Sequence, residues 1–559
     1  MKQLIECVPN FSEGVNLDII NQITEAIQSV NGISLLNVDP GKATNRTVVT
    51  FIGEPTAVVE AAFKGIVKAA QLIDMTKHKG EHPRMGATDV CPFIPVANIT
   101  MEETAAYSVK LAKRVGEELN IPVYLYEASQ PDEKRNNLSV IRAGEYEGFA
   151  NKIVQPEWKP DFGPQKFNIK SGATVIGARD FLIAYNVNLN TKSVKRANSV
   201  AFDIREAGRI KTENGKKVLD GNGNEIRIPG LLKGVKAIGW YIDEYKQAQV
   251  SINITRFRET PLHVVFDACV NAAHQRGYRV TGSELVGLVP LSAMLDAGRY
   301  FLNKQKLSSG VSDDELIHIA VKSMGLDELA PFDPKQRIIE FSMAQAKRPL
   351  VNMSLTDFAN ETASDSPAPG GGSISAYVAT LGVSLGTMVA NLSASKTGWE
   401  ASWQSFSDWA EKGQALKSRL LDLVDEDTAA FNKILEAFQL PKATDDEKRI
   451  RQQAIHDATR YAIEVPYKVM EVSYSCFDLI AEMVAKGNPN SVTDAAVGAL
   501  CIRTAVIGAH LNVKVNTVGF KDVTFVDDVL AKCQIIADNT NKYENEILVA
   551  TLNTINKSK

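Results

Sequence analysis

Near the N-terminus the run HKGEHPRMGATDVCPF gathers His78, Glu81, His82 and Arg84 within seven residues, between a helix-patterned and a strand-patterned segment. A loop held at both ends by regular elements is a favoured place for catalytic side chains. Histidine titrates near neutral pH, so His82 could take a proton from an attacking nitrogen and return it to a leaving one. Arg84 could bind a carboxylate through two parallel N–H bonds. Two other readings stay open: histidines separated by three residues could ligate a metal, or could cap a helix and decorate a loop. Upstream, VDPGKATNRT sets Asp39 at a strand end, followed by a turn that carries Asn45 and Arg46 into the next strand. Asp39 could orient His82 or bind an amino group, although Asp-Pro-Gly is also routine turn chemistry.

A second candidate lies in ALKSRLLDLVDEDTAAFNKILEAF, where Leu416, Leu420, Val424, Phe431, Ile434 and Phe438 form one helical stripe. Asp427 falls on that stripe and Asp425 toward its edge. A carboxyl facing a core is costly unless protonated or paired, and the protonated form suits a general acid. The alternative is a buried ion pair, for instance with Lys442 after the turn LPK. APGGGS places Gly370, Gly371 and Gly372 before an uncharged helical segment. Successive glycine N–H groups at a helix start can hold an anion or a ring edge, whereas a tight packing turn needs no ligand. The string lacks a Walker lysine, so no nucleotide is implied.

The elements that must position these groups follow from periodicity. Strand patterns at 4–11, 33–39, 46–53 and 89–96 interleave with helix patterns at 17–30 and 55–74, giving the order β-α-β-β-α-β. That is the split-βαβ, ferredoxin-like arrangement. A helix over 101–118 and a strand over 121–127 extend it, and 161–181, punctuated by Gly and Pro, reads as a loop entering the next unit. The same element order recurs over 181–290. The expected fold is therefore α+β, two ferredoxin-like βαββαβ subdomains, followed by an all-α helical bundle. The boundaries expected are 1–180, 181–345, a linker at 346–353, and a helical domain over 354–559.

The 559 residues carry 62 basic and 66 acidic side chains, a formal charge of -4, which gives no footprint for nucleic acid as a partner. Six cysteines without a CxxC pair predict reduced thiols and neither a disulfide framework nor a zinc site. No signal-peptide pattern opens the chain. Residues 366–395 contain no charge, but prolines, glycines, serines and threonines interrupt them, and a buried helix is expected there in preference to a membrane span. Gly382 and Gly386 on one face suit close helix packing. From Lys192 to Lys236 eleven basic residues meet five acidic ones, around a segment whose Asp220-Gly221 and Asn222-Gly223 signal a hairpin. The strip could receive a polyanionic tail or be a solvated hairpin.

Taken together, ECVPNFSEG, TNRT, GEHPRMGATDVCPFIPV, RAGEYEG, DFGP, GSELVGLVPL, LAPFDPKQRIIE, APGGGS, LVDEDTAAF and LPKAT resemble the formimidoyltransferase-cyclodeaminase family over essentially the full length. The resemblance implies a glutamate formimidoyltransferase of two subdomains and a helical formimidoyltetrahydrofolate cyclodeaminase. It makes His82 the transferase's catalytic histidine and Asp427 the cyclodeaminase acid. It makes Gly163, Pro164, Gln165, Lys166, Phe167, Asn168, Ile169, Lys170, Ser171 and Gly172 a folate-binding loop. The expected chemistry is attack of tetrahydrofolate N5 on the formimino carbon of N-formimidoylglutamate with loss of glutamate, then attack of N10 with loss of ammonia. Arg46 or Arg84 would hold the glutamate carboxylates, and the Pro-Gly-Gly-Gly-Ser turn would help seat the pterin or the folate tail.

Neither reaction changes an oxidation state. Tetrahydrofolate, including polyglutamylated forms, is expected as carrier substrate, with no metal or nucleotide. Small-molecule substrates, a homo-oligomer built as a ring of dimers, no membrane span and a cytoplasmic location complete the expectation. Two departures stand out: the 211–230 hairpin is longer than the family leads one to expect, and Ser171 occupies a place where an aromatic can occur. A formyl transferase acting on N-formylglutamate, or a non-catalytic folate-binding scaffold, are the alternatives.

Overall fold

The apolar runs at the N-terminus fold as strands β1 (Leu4–Cys7), β2 (Asn10–Phe11), β3 (Ile33–Gly41), β4 (Arg46–Gly53) and β5 (Thr88–Ala97), with helices α1 (Leu17–Gln28) and α2 (Pro55–Leu72) between them. This is a computed structural model that describes residues 3–42, 44–80, 82–342 and 348–557. Its contacts divide the chain into two units, residues 1–294 with 324–344, and 295–323 with 345–559.

In the first unit β3, β4, the broken β1/β2 strand and β5 lie side by side, every pair antiparallel. Helix α1 starts where the Asn16 side chain accepts the Asp18 and Ile19 N–H groups, and its Ile20, Ile23 and Ile27 turn inward. Proline at the first position of α2 loses no helical hydrogen bond. Both helices bury their apolar faces on Ile5, Val49, Phe51 and Phe93 of the sheet. Cys7 and Cys91, far apart in sequence, meet in this core with their sulfurs 3.5 Å apart.

Helix α3 (Met101–Leu119) opens with a capping box in which Thr100 and Glu103 satisfy each other's backbone N–H. It leads to β6 (Val123–Glu127), the short α4 (Leu138–Arg142) and α5 (Glu145–Lys152), and β7 (Thr174–Ala178). The last strand corrects the sequence reading, which takes 161–181 as loop. β7 inserts between β5 and β6, parallel to both, and all five of its residues are buried. Five residues, one of them Gly177, are too short for periodicity to separate from a turn.

The second sheet contains β8 (Ile183–Leu189), β13 (Val235–Ile242), β14 (Gln247–Ile254) and β15 (Val280–Val286), with α6 (Val194–Ile204) and α7 (Leu262–His274). Its order is β13-β14-β8-β15, antiparallel throughout. Between α6 and β13 run four two-residue strands, β9 (Arg209–Ile210), β10 (Thr212–Glu213), β11 (Lys216–Lys217) and β12 (Arg227–Ile228). The tight hairpin turn is at Asn214-Gly215, both with positive φ, and not at the Asp-Gly and Asn-Gly pairs that follow. There the Asp220 carboxylate accepts the Asn222 and Asn224 N–H groups, making a looser turn. Ion pairs Lys211–Glu213 and Lys217–Glu225 offset part of the basic excess.

The other unit is helical: α8 (Leu291–Lys304), which begins in the first unit, α9 (Asp313–Met324), then after the short α10 (Pro334–Arg337) and α11 (Ile339–Ser342) of the first unit, α12 (Leu355–Thr362), α13 (Gly371–Ala394), α14 (Trp403–Gln439), α15 (Asp445–Ser475), α16 (Phe477–Lys486), α17 (Val492–Thr517) and α18 (Val523–Lys557). Residues 295–323, which periodicity assigns to the second subdomain, pack here. The Gly310 carbonyl accepts Asn391 and Gln414 side-chain N–H groups, and Ser309 N–H donates to Ser407 Oγ. The uncharged segment is α13, whose Gly382 lies against α17 and Gly386 against α16. Gly371–Ala394 and Pro489–Thr517 are each long and apolar enough to cross a membrane, with 61% and 50% of their most apolar stretch buried inside the unit.

The long stripe on α14 is only half correct. Leu420 and Val424 are buried, but Phe431 and Phe438 are exposed, and Ala430 and Ala437 face the core instead. Beyond Asp427 the fully buried apolar positions of the helix are alanines, with Ile434 packing at the edge of the core, and a search for large apolar residues overlooks them.

Candidate active sites

His82 lies in the loop before β5. Its Nδ1 lies 2.7 Å from the Pro83 carbonyl, which can only accept. Arg46, the first residue of β4, sets Nη1 against the ring edge, 2.5 Å from Nδ1 and 2.8 Å from Nε2. Burial, then the Arg46 charge, lowers the His82 pKa to about 4, so the ring is neutral at pH 7. Arg46 is itself clamped: Nε and Nη2 donate to Asn10 Oδ1 on β2, and Nη1 lies 3.4 Å from Asp89 Oδ2 on β5. Burial lowers Arg46 to about 10, which leaves it cationic.

The loop is anchored from both sides. His78 Nε2–H donates to the Asn45 carbonyl, and His78 Nδ1 accepts from Arg84 Nε. Asn45, at φ +47°, accepts the Gly14 N–H and donates to the Lys79 carbonyl. The TNRT string therefore positions the histidine loop as well as supplying Arg46. Glu81 lies outside the described residues.

Two expectations fail here. Arg84 is not open to a substrate carboxylate: Glu147 takes both its Nη atoms at 2.9 and 2.6 Å, and Glu145 accepts from Nη1. These charges hold the guanidinium above its ordinary pKa. Asp39 is not at the turn, because β3 continues through Asp39, Pro40 and Gly41, and Asp39 stands exposed opposite Val48. The carboxylate beside the His82–Arg46 pair is Asp89, fully buried, which accepts the Met85 N–H on Oδ1 and Arg142 Nη2 on Oδ2. A cleft of about 480 Å³ is lined by Lys79, Gly80, Arg84, Gly144, Glu145 and Glu147, around the Arg84 ion pairs.

The segment from Gly163 to Gly172 packs beside the histidine loop. Gly86 and Gly172 bridge their backbones, and a Cβ at Gly172, where φ is +67°, would fall 2.2 Å from the Met85 carbonyl oxygen. Ser171 is buried and its carbonyl accepts the Ala87 N–H. Lys170 Nζ donates to the Gln71 carbonyl and Gln165 Nε2 to that of Ile153. Phe167 packs on Tyr146 and Phe149, while Ile169 projects outward with 65% of its surface exposed. Tyr146 OH donates to the Ile169 carbonyl, tying α5 to the loop.

In the helical unit the start of α13 closes on Asp427 of α14. Ser373 N–H donates to Asp427 Oδ2 at 2.9 Å, and the Ser373 hydroxyl lies 3.2 Å from the same oxygen and 2.8 Å from the Val424 carbonyl. A Cβ at Gly372 would sit 2.2 Å from Asp427 Oδ1, so only glycine lets the backbone come this close. Among the described residues no ion pair reaches Asp427, and Lys442 is exposed beyond the helix end, so the buried-salt-bridge reading fails. Burial pushes the Asp427 pKa up, and the Ser373 hydrogen bonds pull only partly against it. The other acids of VDED are structural: Asp425 accepts the Leu350 and Val351 N–H groups, and Glu426 accepts Tyr461 OH and pairs with Lys468 and Arg419. Of the three glycines, Gly370 precedes the helix in open space, Gly371 faces Asn512 of α17, and Gly372 faces the carboxyl.

Comparison with known proteins gives the same two halves. A family model described as "Formiminotransferase domain, N-terminal subdomain" matches residues 4–179, one described as "Formiminotransferase domain" matches 184–344, and one described as "Formiminotransferase-cyclodeaminase" matches 354–535. The chain is 44% identical over 532 residues to the formimidoyltransferase-cyclodeaminase of Mus musculus, covering 95% of this chain and 94% of that protein. It is 42% identical over 553 residues to that of Dictyostelium discoideum, covering 98% of each. Its first half is 39% identical over 302 residues to the glutamate formimidoyltransferase of Streptococcus pyogenes serotype M1, covering 54% of this chain and 94% of that protein.

Proposed function

We infer two activities from one premise: the chain belongs to the formimidoyltransferase-cyclodeaminase family. It is a bifunctional, folate-dependent enzyme of histidine degradation. The first half transfers the formimidoyl group of N-formimidoyl-L-glutamate to N5 of tetrahydrofolate and releases glutamate. The second closes 5-formimidoyltetrahydrofolate to 5,10-methenyltetrahydrofolate and releases ammonia. The observation that carries the reading is that His82 and Asp427 sit in different units, each in its own hydrogen-bonded enclosure.

In the transferase step N5 attacks the formimino carbon, and the N5 proton passes to His82 Nε2. The C–N bond to glutamate then breaks as that proton reaches the departing nitrogen. Arg46 Nη1 lies against the edge of the His82 ring. A substrate carboxylate draws Arg46 away, which both frees the lone pair and removes the nearest charge opposing protonation. The Gly163–Gly172 loop seats the folate, with exposed Ile169 as an apolar contact. In the cyclodeaminase step N10 attacks the same carbon. Asp427 gives its proton to the leaving nitrogen and recovers one from N10. With Oδ2 accepting the Ser373 N–H, Oδ1 is the oxygen that carries the proton.

The finer architecture belongs to the same proposal. Both sheets have the strands of a βαββαβ unit in the split order, which supports two ferredoxin-like subdomains within 1–180 and 181–345, with 295–323 of the second grouped with the helical domain that follows the linker over 354–559. Leu381, Met388 and Leu392 form an exposed apolar face on α13, consistent with a homo-oligomer such as a ring of dimers. Free cysteines throughout the chain fit a cytoplasmic location.

The test is a coupled assay for 5,10-methenyltetrahydrofolate from N-formimidoylglutamate, with glutamate and ammonia counted separately. One of each per methenyl product is expected. Turnover of N-formylglutamate in preference to the formimidoyl donor would replace this reading by formyl transfer. Gly372→Ala supplies a local check: the added methyl displaces Asp427, so ammonia release should fall at least about tenfold while glutamate release is unchanged. Equal rates in both halves would show that Asp427 tolerates the shift.

A further inference from the structure

The RAGEYEG string enters the transferase site through its first residue. Arg142, the last residue of α4, donates from Nη2 to Asp89 Oδ2 at 2.7 Å, the oxygen that Arg46 Nη1 approaches at 3.4 Å. Two guanidinium groups thus share one buried carboxylate beside a neutral imidazole. Among the described residues the neighbouring acids do not correct the imbalance, since Glu145 and Glu147 are committed to Arg84. The Asp89–Arg46–Arg142 cluster therefore holds one positive charge in excess. Arg142 has 12% of its side chain exposed, and its Nε is buried with no hydrogen-bond partner. An unmatched charge and an unfilled buried donor are both unfavourable until an anion completes them.

We propose that Arg142 is a substrate-binding residue of the transferase half, and that with Arg46 it holds a carboxylate of the α-amino dicarboxylate donor. The proposal rests on the transferase reading above. In this arrangement Asp89 fixes Arg142 in place, while Arg46 is the partner that moves off His82. A lysine at position 142 could keep the pairing to Asp89 but could not also present a planar fork to a second carboxylate.

The test uses the full-length enzyme with Arg142→Gln and Arg142→Lys, and L-glutamate as a probe of the free site. Losing charge-assisted hydrogen bonds to one carboxylate should raise KM for N-formimidoylglutamate, and the inhibition constant of L-glutamate, about 10- to 100-fold. The KM for tetrahydrofolate and the rate of ammonia release from 5-formimidoyltetrahydrofolate should not move, and kcat should stay within about threefold. Arg142→Lys should recover thermal stability but not donor affinity. A donor KM that is unchanged in both variants overturns the proposal. So does a fall in kcat and stability that lysine repairs together with donor affinity, since that is a clamp on Asp89 alone. If the wild-type enzyme does not release glutamate from the donor at all, the underlying transferase reading has failed instead.

Discussion

Replacing His82 by alanine should remove glutamate release and leave ammonia release from supplied 5-formimidoyltetrahydrofolate intact. A general base of this kind contributes about 10²- to 10⁴-fold, and that is the expected loss in transferase kcat. The alanine enzyme keeps Arg46 bound to Asn10 and Asp89, so the pocket stays charged and donor affinity should hardly change. Loss of both activities would show that the two reactions share a site. The pH dependence gives a second readout. Burial and Arg46 hold His82 at about 4 in the free enzyme, so kcat/KM for the donor should not fall with this group at 6.5, the ordinary histidine value, and should be lost only as pH drops toward 4. Stability carries the same sign. Between about 6.5 and 4 the unfolded chain takes up a proton that folded His82 refuses, so the unfolded state binds more protons and stability decreases as pH falls through that window. His82→Ala should lose less stability over it than the parent, as thermal unfolding at stepped pH will show.

How far such sites can be read from a sequence depends on whether their parts are local. His82, Arg46 and Asp427 stand out as candidates in the sequence because a short polar string interrupts apolar periodicity at an element end or on a core-facing stripe. Asp89 and Arg142 do not. Asp89 is a single acid at the head of an apolar strand and Arg142 ends a five-residue helix, and only the sheet and the α4–α5 turn bring them together. Arg84 misled for the complementary reason: its partners, Glu145 and Glu147, lie more than sixty residues away, so the sequence shows an available guanidinium where the fold has already paired it. The main strand and helix order was legible because the principal elements are long enough to show their period. β7 is short and contains Gly177, and past Asp427 α14 buries Ala430 and Ala437 while Phe431 and Phe438 are exposed, so neither signal reached the level that periodicity detects. The Asn214-Gly215 turn was visible in principle, but three competing Gly dipeptides stand in one twenty-residue segment and nothing local ranks them.

Asp427→Asn should do the reverse of His82→Ala, removing ammonia release about 10²- to 10⁴-fold while glutamate release continues and 5-formimidoyltetrahydrofolate accumulates. Asparagine is the informative replacement because its carbonyl oxygen can still accept the Ser373 N–H, so the junction of α13 and α14 survives while the transferable proton does not. Alanine would empty the contact under Gly372 and confuse lost chemistry with lost packing. The carboxyl is fit for the acid role because burial raises its pKa and, among the described residues, no cation pulls it back and the Ser373 hydrogen bonds are the opposing influence. Deaminase activity should therefore fall as pH rises through the raised value, and Ser373→Ala should move that limb to higher pH by removing hydrogen bonds from the hydroxyl to the ionised form. The folded protein keeps a proton on Asp427 that the unfolded chain has released, so this group's contribution to stability is present at low pH and lost as pH rises through its folded pKa. Asp427→Asn abolishes that dependence, and its thermal stability should exceed the parent's on the alkaline side. If the asparagine enzyme deaminates at the parental rate, Asp427 is a structural carboxyl that closes the start of α13.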